Sequence, residues 1–155
     1  MRATGLLASE LRVMGASHVF ETLPIGSAGE SAFLNAALQV RCSLSPADLK
    51  LQILRPLEAK LGRERTADRN APRTIDLDIS LFGERVIEDQ TMGLQIPDPE
   101  ILSRAHVALP LADLAPDRLH PVTGERMWEI AARFEVGDDV HIVPDLSLWP
   151  QSSSR

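Results

Sequence analysis

The nine residues Thr74-Ile-Asp-Leu-Asp-Ile-Ser-Leu-Phe82 constrain this chain more than any other stretch. Ile75, Leu77, Ile79 and Leu81 alternate with Asp76, Asp78, Ser80 and Phe82. Successive side chains of an extended strand point to opposite faces, so the alternation predicts a strand with one face on a core. The same period puts Asp76 and Asp78 on one face, roughly 6–7 Å apart. Two carboxylates at that distance repel by roughly 3 kcal/mol at an effective dielectric near 20, which is poor in isolation and good around a divalent cation. Magnesium suits such a pair, because it prefers hard oxygen ligands and is bound through one or two carboxylates plus substrate phosphates.

The residues before the strand supply the opposite charge. Arginine makes up 14 of the 16 basic residues, and four of them, Arg63, Arg65, Arg69 and Arg73, fall within eleven positions. They reach the head of the predicted strand through a loop stiffened by Pro72. Guanidinium forks bind phosphate oxygens bidentately, so carboxylates for a metal beside an arginine cluster describe a polyphosphate site. Phosphoryl transfer needs positioning and electrostatic stabilisation more than a covalent nucleophile, and these parts suffice for it. A Gly-x-x-x-x-Gly-Lys-Ser/Thr loop and the protein-kinase signature are both missing, which removes two common nucleotide-binding folds. A net charge of −6 argues against a surface that grips nucleic acid broadly. With four Phe, two Trp and no Tyr, a base-stacking RNA-binding sheet is equally poorly supported.

At 155 residues, 44% of them hydrophobic, the chain has the size and composition of one globular domain. No apolar run approaches the roughly 18 residues of a membrane span, so a cytosolic address is the expectation. The lone Cys42 can form no internal disulfide and offers no zinc-binding spacing, and it reads as a small buried hydrophobe. Leu6, Leu7, Leu11 and Met14 at helical spacing, with Gly15 as a stop, predict a first helix over 5–14. His18–Thr22 reads as a strand, 24–31 as a loop, and 34–42 as a half-buried strand. Ser45-Pro46-Ala47-Asp48 opens a helix with Leu49, Ile53, Leu57 and Leu61 as its buried stripe, a kink at Pro56 and an end at Gly62. Short strands at 85–88 and 94–97 and helices near 99–104, 107–114 and 125–134 follow, before a tail whose last residues, 151–155, read as disordered. His18, His120 and His141 read as surface or strand residues, and Trp128 and Trp149 as core or tail packing. Strands and helices interspersed without regular βαβ repetition predict an α+β domain.

Gly62-Arg-Glu-Arg65 followed by Pro72-Arg-Thr-Ile-Asp-Leu-Asp-Ile-Ser-Leu-Phe-Gly83 resembles the signature of the 6-hydroxymethyl-7,8-dihydropterin pyrophosphokinase family. The similarity runs from about Val19 to Pro121 and takes in Leu34-Asn-Ala-Ala, Ile96-Pro, Arg104, Leu109-Pro-Leu and Leu114-Ala-Pro116. The resemblance implies a ferredoxin-like fold and an enzyme of folate biosynthesis that moves the β,γ-pyrophosphoryl unit of ATP to the pterin hydroxymethyl group, releasing AMP. It implies that Asp76 and Asp78 hold two magnesium ions bridging the ATP phosphates. Arg63 and Arg73 match the phosphate-binding arginines, Arg65 assists them, and Arg104 reaches the phosphates from across the site. Glu58, Gln95 and Ile96 match the adenosine side. On the pterin side, Asn35 matches the ring-edge partner and Phe33 the stacking ring, and the loop Thr22–Gly26, with Pro24 and Ile25, supplies backbone contacts.

The chain departs from the family pattern in four places. His106 stands where an aromatic residue completes the pterin sandwich, Asn70 where an aromatic residue follows Arg69, and Asp98 where a histidine follows Ile-Pro. An anion in place of a phosphate-facing donor is expected to weaken ATP binding. Family members also begin with a strand and a Gly-Ser-Asn turn, whereas this chain opens within the predicted first helix. The expectation is therefore a pyrophosphokinase-like domain over 1–136 without its first strand, from a start placed too late. The tail, 137–155, carries Val140-His-Ile-Val, which is free to pair in the vacancy. The expected protein is a monomeric cytoplasmic enzyme acting on small molecules, with neither a nucleic-acid nor a membrane partner. The alternative is a non-catalytic relative that binds pterin or nucleotide.

Overall fold

The computed structural model describes residues 11–23, 32–62, 75–134 and 140–148. These form a mixed α and β structure in which every strand pairing is antiparallel. In chain order the elements are β1 (Arg12–Ala16), β2 (Phe20–Thr22), β3 (Phe33–Asn35), β4 (Leu38–Arg41), α1 (Pro46–Asp48), a π-helical stretch (Leu49–Leu54) and α2 (Arg55–Lys60). Then come β5 (Ile87–Asp89), β6 (Leu94–Ile96), a 3-10 turn (Pro99–Leu102), α3 (Ala105–Leu114), α4 (Met127–Ala131) and β7 (Val140–Ile142). Among the described residues β1 pairs with β4, β2 lies between β3 and β7, and β5 and β6 form a hairpin.

The chain's first described element corrects the helix predicted over 5–14: residues 12–16 are a strand, and residues 1–10 lie outside the described set. Leu11 and Val13 are buried while Arg12 and Met14 are exposed, a period of two that the wider leucine spacing concealed. The strand predicted over 34–42 is two strands in different sheets. Between them Ala37 meets Ser17, with Ser17 N–H donating to Ala37 O and Ala37 N–H donating to Ser17 Oγ, both at 2.9 Å. That exchange fixes where the chain passes from one sheet to the other. The segment at 75–82, read as the clearest strand, joins no ladder among the described residues. Alternation sets which way side chains face, but a ladder also needs a partner's N–H and C=O groups. Leu77, Ile79 and Phe82 pack against Leu11, Val13, Leu49, Leu54 and Leu57, whereas Leu81 packs into the Ile101–Met127–Ile130 cluster. Phe82 therefore sits with the apolar face, not with the aspartates.

The helix after Ser45 forms as its sequence requires. Ser45 Oγ accepts from Asp48 N–H at 3.1 Å, Pro46 takes the first turn where its missing N–H costs nothing, and Gly62 adopts φ 89° just past the end. At Pro56 the structure answers the missing donor with a change of helical register. The stretch from Leu49 to Leu54 is π-helical, Arg55 N–H donates to Lys50 O, and α-helical bonding resumes with Pro56 in the first turn of α2. Leu49, Leu54 and Leu57 are buried, and they seat this helix on the β1–β4 pair. A second cluster joins β2 and β7 to α3 and the end of α4 through Phe20, Leu109, Ala131 and Val140. The tail segment at 140–142 pairs with β2, Phe20 opposite Ile142 and Thr22 opposite Val140. No helix among the described residues is long and apolar enough to cross a membrane.

Candidate active site

A cleft opens where four pieces of chain meet. The π-helical stretch and α2 present Lys50, Leu54, Arg55 and Glu58, the segment at 76–79 presents Asp76 and Asp78, and the β5–β6 turn presents Gln90, Thr91, Met92 and Gly93. Gln95, Asp98 and Glu100 extend the lining on the far side. Two adjoining cavities of about 390 and about 490 Å³ occupy this cleft and share Lys50, Leu54, Asp76, Leu77, Asp78 and Gly93.

Glu58 is the structural hinge of the wall. It is 3% exposed, and its Oε1 accepts from Leu77 N–H at 2.9 Å, so the helix holds the backbone between the two aspartates. Asp98 N–H donates to Ser80 O at 2.9 Å and anchors the same segment three residues beyond Leu77. Asp76 and Asp78 are thereby aimed into one space although no ladder supports them. Protein crowds the Asp78 carboxyl, whose residue surface still reaches solvent. That burial, followed by the negative charges of Asp76 and Asp98, pushes its pKa up to about 6, with Lys50 pulling the other way. Asp98 is also raised, chiefly by burial, although its carboxyl accepts Glu100 N–H at 2.9 Å as the cap of the 3-10 turn. Among the described residues no group of three or more His, Cys, Asp or Glu side chains forms a ready cage for a metal. Asp76 and Asp78 offer two hard oxygen donors on one space, and the negative charge crowded there fits a divalent cation.

Of the residues that the sequence reading assigns to phosphate, Arg63, Arg65 and Arg73 lie outside the described set, and Arg104 is an exposed residue preceding α3 that does not line the cavities. Glu58 and Gln95 line the cleft; Ile96, 1% exposed, is core beneath it. On the pterin side, Thr22 and Asn35 meet on neighbouring strands, Asn35 Nδ2 donating to Thr22 Oγ1 at 3.1 Å. Phe33 beside them is 60% exposed, a free ring face on the β2–β3 ribbon. Pro24, Ile25, Gly26 and Asn70 lie outside the described residues. His106, on α3, comes within 3.7 Å of Glu100, which itself lines the cleft. The sequence reading missed Lys50, Arg55 and the turn at Gln90–Gly93. Lys50 and Arg55 differ from the hydrophobic stripe in charge and could have been noticed as cations five apart, but an α-helical wheel places them on different faces.

The remaining histidine and tryptophan readings divide. His18 and His141 are surface residues paired with Asp113 at 2.9 Å and Glu21 at 2.8 Å. His120 is 2% exposed, a correction: its ring fills a tight turn and its Nδ1 accepts from Thr123 N–H at 3.2 Å. Trp128, 50% exposed, is not core, because Met127, Ile130 and Ala131, at i, i+3 and i+4, take the buried side of α4. Cys42 is half-buried against the β1–β4 cluster, and Trp149 lies outside the described residues.

The family model for 7,8-dihydro-6-hydroxymethylpterin-pyrophosphokinase matches residues 1–116. A 2-amino-4-hydroxy-6-hydroxymethyldihydropteridine pyrophosphokinase of Pseudomonas aeruginosa is 38% identical over 123 residues, which is 79% of this chain and 73% of that protein. One of Bacillus subtilis is 41% identical over 98 residues, 63% of this chain and 56% of that protein. The Folic acid synthesis protein fol1 of Pneumocystis carinii is 38% identical over 144 residues, 93% of this chain, and the match spans only 18% of that longer protein. With the paired aspartates, the buried glutamate behind them and a match over three quarters of its length, the chain belongs to the 7,8-dihydro-6-hydroxymethylpterin-pyrophosphokinase family.

Proposed function

We propose that the chain transfers the β,γ-pyrophosphoryl unit of ATP to the hydroxymethyl group of 6-hydroxymethyl-7,8-dihydropterin in folate biosynthesis. The substrate hydroxyl oxygen bonds to the β-phosphorus, the bond from that phosphorus to the α–β bridging oxygen breaks, AMP leaves, and the hydroxyl proton is released. The observation that carries this reading is the cleft itself: Asp76 and Asp78 face one space, and Glu58 holds the backbone between them. Asp76 and Asp78 would hold two magnesium ions. When bound, these neutralise the charge that builds on the phosphate oxygens during transfer.

The chain's own residues divide the remaining work. Glu58, Gln95 and the backbone at Ile96 receive the adenosine, and Arg63, Arg65, Arg73 and Arg104 meet the phosphates. Thr22, Pro24, Ile25, Gly26, Phe33, Asn35 and His106 form the pterin side, with Phe33 free to stack because so much of its ring is exposed. Guanidinium groups neutralise charge without giving up a proton, which suits them to a transfer in which negative charge moves from substrate to leaving AMP. The ferredoxin-like domain spans 1–136, the tail over 137–155 adds β7 beside β2, and the protein acts as a cytoplasmic monomer on small molecules.

The test is AMP release from MgATP by the full chain with and without 6-hydroxymethyl-7,8-dihydropterin. AMP that appears only with the pterin supports the reading. ATP binding without AMP release would instead identify a non-catalytic binder.

A further inference from the structure

Lys50 is the one lysine in the lining of both cavities, and its ammonium stands where they adjoin. Its Nζ donates to Gly93 O at 2.7 Å, bridging from the helix to the β5–β6 turn. Arg55, Glu58 and Gln90–Met92 lie on one side of that bridge, and Ile79, Gln95, Asp98 and Glu100 on the other. The π-helical register explains why two cations share this wall. In an α-helix residues five apart sit about 140° from alignment, whereas here Arg55 N–H bonds directly to Lys50 O and stacks one residue over the other. Arg55 Nε is buried and has no hydrogen-bond partner among the described residues.

The bridge is not needed to shape the turn. Asp89 Oδ1 accepts from Thr91 N–H, Thr91 Oγ1 and Met92 N–H at 3.0, 2.6 and 3.1 Å, and Gly93 N–H donates to Gln90 O, so the turn is braced from within. Among the described residues the ammonium makes no ion pair, and its one bond is to a neutral carbonyl. A bond from an ammonium to phosphate is charge-assisted and roughly twice as strong, so an entering polyphosphate draws the flexible lysine stem away from Gly93.

We propose that Lys50 is a nucleotide-contacting residue, whose ammonium leaves the Gly93 carbonyl for the triphosphate as MgATP enters and so joins the two cavities into one. The inference rests on the proposed ATP-dependent activity and adds to it a phosphate contact from the helix side.

The experiment measures dissociation constants of MgATP and of adenosine by calorimetry for the full-length wild type, Lys50→Met and Lys50→Gln, at low and high KCl. Loss of one charge-assisted contact should weaken MgATP about tenfold in both variants. Adenosine affinity should stay within about twofold, because adenosine has no phosphate to lose. The fall of MgATP affinity with salt should be shallower in the variants than in the wild type. Lys50→Gln keeps a donor for Gly93 and decides the matter should Lys50→Met fail to fold. Unchanged MgATP affinity overturns the inference, as does an equal loss for adenosine, which would make the bridge merely structural. A wild type that binds no MgATP overturns the proposed function as well, so the two failures are distinguishable.

Discussion

Glu58 Oε1 accepts the backbone N–H of Leu77, the residue between the two aspartates, at 2.9 Å. One buried carboxyl on α2 thus sets the position of both candidate metal ligands without touching either through this bond.

Glu58→Ala should therefore cost stability and activity together. It leaves the Leu77 N–H without its acceptor and opens a buried hole, for a loss of about 2–3 kcal/mol. Glu58→Gln keeps a carbonyl oxygen for the same bond and should stay within about 1 kcal/mol of wild type. Urea denaturation of both variants checks this. Equal destabilisation by Ala and Gln would show that the Leu77 bond is not what Glu58 contributes.

Asp76→Asn and Asp78→Asn should each remove magnesium-dependent ATP binding while leaving the fold intact, and unchanged affinity in both would refute the assignment of metal ligands. Asp78 carries a further consequence for the metal-free protein. Its pKa is raised from 3.8 to about 6 in the folded chain, so the unfolded chain gives up this proton first as pH rises. Stability associated with Asp78 is then complete below pH 3.8 and is lost as pH rises through about 6. Solvent access makes the loss smaller than the full shift implies. Asp78→Asn should remove this part of the pH dependence, and added magnesium should restore stability at neutral pH in the wild type alone. Thermal melts from pH 4 to 7.5 with and without magnesium give the answer.

How legible this site was depended on what kind of information each feature needed. The Asp76/Asp78 pairing followed from a period of two, which local sterics impose whether or not a ladder forms, so the facing was readable and the strand was not. The Ser45 cap and the Gly62 stop were readable because they act within a few residues. Lys50 was hidden because its placement depends on a π-helical register next to Pro56, and helical spacing assumed the commoner turn. His120 was hidden for a different reason. A lone histidine between Leu119 and Pro121 carries no periodic signal, and it sits in a turn closed by bonds to Thr123, Gly124 and Glu125 that no hydrophobic spacing announces. The leucine spacing carries the predicted helix on through 11–14, where the alternation of Leu11 and Val13 with Arg12 and Met14 makes a strand once β4 supplies a partner.

Asp98 invites a test of two roles in one residue. Its carboxyl caps the 3-10 turn through Glu100 N–H, and its charge is the third-largest contribution to raising Asp78, after burial and Asp76. Asparagine caps as well as aspartate, so Asp98→Asn should leave stability within about 0.5 kcal/mol, whereas Asp98→Ala should cost about 1 kcal/mol. Removing a negative charge from the cleft should also tighten MgATP binding a few-fold in Asp98→Asn, roughly what one like charge at cleft distance contributes. Calorimetry that finds weaker binding in Asp98→Asn would mean that the carboxylate itself takes part in holding the metal.

His120 makes the last prediction, away from the cleft. Its ring is buried, Nδ1 accepts from Thr123 N–H, Gly124 N–H donates to its backbone oxygen, and its own N–H reaches Glu125 O at 2.7 Å. Burial holds its pKa below the usual 6.5, opposed in part by the charge of Glu125. A proton on Nδ1 would turn an acceptor into a donor facing another donor. The sign follows from which state binds the proton first: the unfolded chain takes it up near pH 6.5, the folded chain only lower, so stability is complete above pH 6.5 and falls on acidification through the folded value. His120→Asn places a carbonyl oxygen near the position of Nδ1 and has nothing to titrate. It should lose about 1–2 kcal/mol of packing at pH 7.5 and show a flatter decline toward pH 5.5 than wild type. Urea midpoints at the two pH values measure both, and a decline equally steep in His120→Asn would place the acid sensitivity elsewhere.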